Sequence, residues 1–114
     1  MKSIDAREEF KQMLALDKCL IFVAAKWPQS SKMAEAKVKA YETVSNSRVF
    51  EMDIDNKSFA DWLSEQSRHV NYTVYLSGAG SLLFVERGTA TDHVLPNSLS
   101  LDELRHRIQR FFKQ

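Results

Sequence analysis

The sequence predicts an α/β fold: a central mixed β-sheet of four or five strands, flanked by helices on both faces, in one domain spanning residues 1–114. Three observations carry this. Residues 19–25, CLIFVAA, are an unbroken apolar run of strand length, which is how a strand covered on both faces reads. Helical and strand-like periodicities alternate along the chain, as parallel βαβ units require. Runs 73–76 and 81–85 are separated only by Ser77, Gly78, Ala79 and Gly80, a link too short for a parallel crossover and therefore expected to join an antiparallel hairpin.

In chain order, residues 2–4 read as a short strand, and Asp5 with Glu8 has capping-box spacing for a helix carrying Phe10, Met13 and Leu14 inward. After the apolar run, Trp27 and Pro28 end the strand. Ser30 or Ser31 then caps a helix over 32–44, with Met33, Ala36, Ala40, Tyr41 and Val44 as its stripe and Glu35 and Lys39 paired four apart. Val49, Phe50, Met52 and Ile54 suggest a second buried strand, and a helix bracketed by Ser58 and Asp61 follows, with Phe59, Trp62, Leu63 and Gln66 on one face. Residues 89–98 have no periodicity and contain Pro96, so they read as a loop. A last helix starts at Ser100, where Glu103 completes a capping box, and turns Leu101, Leu104, Ile108 and Phe111 to the core.

A length of 114 residues suits one core, and 44% apolar with 27% charged residues is an ordinary globular balance. A net charge of +1 provides no broad field, so nucleic acid is unsupported as a partner. The single cysteine, Cys19, excludes an internal disulfide and points to a reducing compartment, the cytoplasm. The charged N-terminus, MKSIDAREEFKQML, lacks a secretory apolar core, and the longest apolar run falls far short of the ~20 residues that span a bilayer. A soluble protein with no membrane association is expected.

In this order the residues resemble the thioredoxin family over nearly the whole chain. That family places a W-C-x-x-C-K motif after an apolar strand; here the strand 20–24 leads through Ala25 and Lys26 to Trp27, Pro28, Gln29, Ser30, Ser31 and Lys32. Trp27, Lys32 and Met33 stand where the family has them. Met52, Asp53, Ile54 and Asp55 resemble the strand end before its third helix, and 73–88, TVYLSGAGSLLFVERG, can be laid on its hairpin and following glycine. The resemblance implies a thioredoxin-like fold whose redox parts are replaced: Pro28 at the nucleophile position, Ser31 at the resolving one, Phe22 for the buried acid, and Tyr72 for the cis-proline. Disulfide exchange needs an attacking thiolate and a resolving thiol. A non-proline cis bond costs ~2.5–4 kcal/mol, so a trans bond is expected at Tyr72. Loss of all four parts implies a redox-inactive relative with no catalytic residue and no cofactor.

Each remaining candidate has a plain structural role. Cys19, at the start of the buried run, is expected to be an inert core residue. Ser30 and Ser31 have no base beside them in sequence and are expected as helix caps, although a helix N-terminus can bind an anion weakly. Asp53 and Asp55 read as a solvated turn, and His69, His93 and His106 have no partner at zinc spacing, so no metal is expected. Arg105, Arg107, Arg110 and Lys113 suit the last turns of a helix. Asp92, His93 and Val94, in the 89–98 loop, form a secondary candidate interaction site.

Three functions fit. The first is a binding module, holding a protein or peptide against the degenerate corner of Trp27, Pro28, Gln29, Ser30, Ser31, Lys32 and Tyr72, as an adaptor, chaperone-like assembly factor or complex subunit. The second is a single-thiol oxidoreductase working through Cys19 with a small thiol such as glutathione. The third is a structural subunit, with a homodimer as one open arrangement.

Overall fold

A computed structural model describes residues 2–24, 29–42, 48–53 and 80–113 of the chain. Its elements are β1 (Lys2–Ser3), α1 (Arg7–Leu14), β2 (Lys18–Ala24), α2 (Gln29–Glu42), β3 (Val49–Asp53), β4 (Ser81–Glu86), β5 (Thr89–Val94), a 3-10 turn (Pro96–Ser98) and α3 (Leu101–Lys113). The helix expected around Ser58 to Gln66 and the strand expected over 73–76 lie outside the described residues.

The strands form one mixed sheet in the order β1-β3-β2-β4-β5. β3 runs parallel to both β1 and β2, whereas β4 runs antiparallel to β2 and to β5. β2 is thus hydrogen-bonded on both sides, and each of its residues is buried. Its side chains alternate between two cores. Cys19, Ile21 and Val23 join Phe10 and Met13 of α1 with Met52, Leu83 and Val85. Leu20, Phe22 and Ala24 join Ala34 and Val38 of α2, Phe84 of β4, and Leu104, Ile108 and Phe111 of α3. This is why an apolar period of one, rather than two, marked the strand.

α3 follows its expected pattern closely. The Ser100 N–H donates to Glu103 Oε1 (3.2 Å) and the Glu103 N–H to Ser100 Oγ (3.1 Å), the reciprocal pair of a capping box. These bonds hold the Glu103 carboxyl below its ordinary pKa. At the N-terminus the expected capping box does not form: the helix starts at Arg7 behind Ala6, which has no side chain to cap it, and it is Glu9, not Glu8, whose Oε1 accepts the Asp5 N–H at 3.3 Å.

The hairpin departs from expectation. It joins β4 to β5 across Arg87 and Gly88, which take φ of 50° and 79°, the left-handed pair of a two-residue type I′ turn. Residues 89–94 are therefore an edge strand and not a loop, so Asp92, His93 and Val94 have fixed places on the sheet. Gly88 lies inside the turn and does not follow the hairpin. The position before the hairpin's first strand, assigned to Tyr72, belongs to Gly80; Tyr72 itself lies outside the described residues.

α2 also departs in its start and its inward face. It begins at Gln29, so Ser30 and Ser31 lie within its first turn and are not caps. The buried face runs through Ser31, Ala34 and Val38, leaving Met33 and Ala36 exposed. The reason is close approach: a Cβ built on Gly80 would stand 2.9 Å from Ala34 Cβ and 3.1 Å from Phe22 Cζ. Only small residues let the helix come so near. The Glu35–Lys39 pair forms as expected, at 2.9 Å.

Gly80 combines that crowding with φ of 86°. Gly80→Ala is expected to lower stability by about 1–3 kcal/mol, through the left-handed backbone and the overpacking together. A urea melt of the variant with an unchanged midpoint would refute this packing.

Candidate functional site

The corner of interest lies where β2 ends and α2 begins. Among its expected residues, Gln29 and Lys32 are exposed on the first turn of α2 and Ser31 is buried beneath them. Ser30 belongs to the same turn. Trp27, Pro28 and Tyr72 lie outside the described residues. Phe22 faces the corner from below, fully buried, paired across the sheet with Glu51 of β3 and Leu82 of β4.

Phe22 and Gly80 together show how the corner is built. The Phe22 ring and Ala34 Cβ fill the space that any side chain at position 80 would need. An ionised carboxylate in place of this ring would be stripped of water, at a cost of several kcal/mol without a partner. The phenyl ring needs none.

Cys19 is remote from this arrangement. Its thiol has no exposure, points into the α1 core, and donates a weak Sγ–H bond to the Met13 carbonyl at 3.9 Å. Burial pushes its pKa up to about 12, against which Arg48 acts only weakly. Thiol chemistry needs the thiolate, which this setting suppresses.

Two features beside the corner carry no simple sequence signal. Met33 is 56% exposed and Leu95 36%, the exposed large hydrophobics among the described residues. Both lie along one seam. Lys37, one turn after Met33 on the same face, donates through Nζ to the Leu99 carbonyl (2.7 Å) and the Pro96 carbonyl (3.2 Å), clamping α2 to the 3-10 turn that Leu95 enters. Periodicity had assigned Met33 to the core, and Leu95 to an unstructured loop.

At the far end of β2, Lys18 is only 6% exposed. Its Nζ donates to the Phe111 carbonyl in the last turn of α3 (2.8 Å) and stands 5.4 Å from the Phe111 ring centroid. A cation at a helix C-terminus is favoured by the backbone dipole, and here it ties α3 to the central strand.

Among the described residues, no three His, Cys, Asp or Glu side chains converge as metal ligands. Asp53 ends β3 and Asp55 lies outside the described set. Glu51, on the α2 face of β3, has its carboxyl raised above the ordinary value of 4.5, first by burial and then by Glu35 and Asp53, with Lys39 opposing. No described helix is long and apolar enough to cross a membrane.

Neither a protein-family model nor a curated protein matches the chain. Solved structures do. A mutant thioredoxin from Halobacterium salinarum NRC-1 superposes with a TM-score of 0.70 at 18% identity, over 96% of this chain and 88% of that one. Thioredoxin from Trypanosoma brucei brucei gives 0.68 at 17%, over 98% and 90%, and thioredoxin from Fasciola hepatica 0.69 at 14%, over 97% and 99%.

Two measurements test this site. Cys19 is expected to resist a thiol reagent in the native protein at pH 7 and to react at the rate of free cysteine in denaturant; equal rates in both would contradict its burial. Glu51→Gln tests the raised carboxyl. The folded state holds that proton more tightly than the unfolded chain, so stability falls as pH rises above 4.5. The variant is expected to have the higher Tm at pH 7, with the gap closing at pH 4; a lower Tm at pH 7 would contradict it. At these identities the likeness is one of architecture, and on that ground the chain has the thioredoxin fold.

Proposed function

We propose that this chain is a redox-inactive thioredoxin-fold binding module, an adaptor or assembly subunit of the cytoplasm, that holds a protein or peptide against the corner at the start of α2. The observation that carries this reading is the exposed apolar seam of Met33 and Leu95, fixed beside the corner by the Lys37 clamp. Both side chains are held on rigid elements, so little ordering entropy is lost when a partner covers them. Trp27, Pro28 and Tyr72, with Gln29, Ser30 and Lys32, extend the surface in this proposal; Ser31, buried beneath Gln29 and Lys32, supports it from below, and Lys32 adds a cation at its rim.

Supporting the redox-inactive half is the state of the single thiol: Cys19 is buried, with its pKa near 12. The single-thiol oxidoreductase would need a cysteine that a small thiol can reach. Cys19 sits under α1, on the opposite face of the sheet from α2.

The test is capture of the partner from an extract of the native host by the immobilised protein, with Met33→Asp/Leu95→Ser and Trp27→Ala/Tyr72→Ala beside it. Burying one large apolar side chain is worth about 1.5–3 kcal/mol, or roughly tenfold to a hundredfold in Kd. Each double variant is expected to keep its melting temperature and lose capture. Undiminished capture by the Met33/Leu95 variant would remove the seam from the site. Turnover of a model disulfide by the wild type would overturn the redox-inactive reading.

A further inference from the structure

A second depression, between the β4–β5 hairpin and α3, plays no part in that reading. It encloses about 160 Å³, against roughly 300–1,000 Å³ for sites that hold drug-sized ligands. Its occupant must therefore be small.

Its walls carry opposite charges: Glu86 and Asp92 on the hairpin, Arg107 and Arg110 on α3. Beneath them Phe84 and Phe111 meet edge to face with centroids 5.1 Å apart. A β-bulge at Phe84/Val85 shapes the hairpin wall. Thr91, the extra residue, donates its hydroxyl to the Phe84 carbonyl (3.4 Å), and Asp92 is left paired with Phe84, on the face that α3 covers.

Among the described residues neither Arg107 nor Arg110 forms an ion pair within 4.0 Å, although two carboxylates line the same cleft. Arginine and carboxylate frequently make a forked contact when they lie within reach of each other. Here they stand apart across a gap, which leaves room for a molecule carrying both complements. We propose that the cleft binds a small zwitterion of the α-amino acid type, its carboxylate on the guanidiniums of Arg107 and Arg110 and its ammonium on the carboxylates of Glu86 and Asp92. A plain anion meets the two acids, and a plain cation meets the two arginines; only a ligand with both charges is attracted by both walls.

The test is an NMR titration of the isotope-labelled full chain at low salt, following the amides of Phe84, Thr91, Asp92 and Arg110. L-Alanine is the probe, with propionate and ethylamine as its single-charge halves and inorganic phosphate as a plain anion. L-Alanine is expected to saturate these shifts with a Kd at least about tenfold below that of either half, a difference of about 1.4 kcal/mol. Arg107→Gln/Arg110→Gln and Asp92→Asn are each expected to weaken it by a similar factor, with the remaining amide spectrum unchanged as proof of folding. Propionate or phosphate binding as tightly as L-alanine would overturn the proposal in favour of a simple anion site. Absence of any shift at about 50 mM L-alanine would overturn it outright, since a Kd above that level corresponds to under about 2 kcal/mol. Neither result bears on the Met33–Leu95 seam, which is tested separately.

Discussion

A strand with hydrogen-bonded neighbours on both edges and helices on both faces leaves no room for an unpaired charge, and β2 is such a strand. Every one of its residues is buried, and its two alternating rows feed the two cores of the molecule. Even its charged residue obeys the rule: Lys18 enters the interior with its ammonium donating to the Phe111 carbonyl. α1 is anchored on one row, α2 and α3 on the other, so the positions of all three described helices follow from this single element. Large apolar side chains such as Leu20, Ile21 and Phe22 each contribute about 1.5–3 kcal/mol by leaving water, which makes β2 the costliest place to disturb.

The same constraint explains how the corner is filled. Phe22 lies under α2 in the second core, where the Gly80 backbone and Ala34 close over its ring. A carboxyl group at that position would have to be neutral, hydrogen-bonded or paired. The phenyl ring removes the requirement and fills the volume, so the local shape is maintained by packing alone. The start of α2 thus keeps its place on the sheet by packing, while the chain's single thiol lies in the other core, under α1.

Much of this was legible in the sequence where one signal dominated. The continuous run at β2 announced burial on both faces, and Ser100 with Glu103 announced the start of α3, because each is a local pattern with one physical solution. The hairpin was misplaced because its turn is Arg87-Gly88 and not one of the Asn-Gly or Asp-Gly pairs that usually mark a type I′ turn. β5, TATDHV, is an edge strand whose exposed positions carry polar residues, and its bulge at Thr91 interrupts the alternation that would have revealed it. The inward face of α2 was misjudged for a different reason. Periodicity weighs large apolar residues, so it favoured Met33; the sheet selected Ser31, Ala34 and Val38, because Gly80 brings the two backbones close. Lys37 and Lys18 were missed because their partners are main-chain carbonyls 59 to 93 residues away in sequence, which leave no trace in local pattern.

Geometry also bears on which functions can share this scaffold. Cys19 and Ala24 stand at opposite ends of β2, and five steps of about 3.3 Å put about 16 Å between them. Their side chains also point to opposite faces, Cys19 under α1 and Ala24 under α2. A disulfide held against the start of α2 would therefore lie a full strand length from the thiol and on the wrong side of a closed sheet. Thiol and disulfide sulfurs must come into contact for exchange, so no rotamer change in Cys19 could bring them together; the strand itself would have to leave the sheet. Any reaction at Cys19 would thus require a locally unfolded state, and it could not draw on binding at the Met33–Leu95 seam. In the folded state the thiol and the start of α2 are thus two separate places, on opposite faces of one closed sheet.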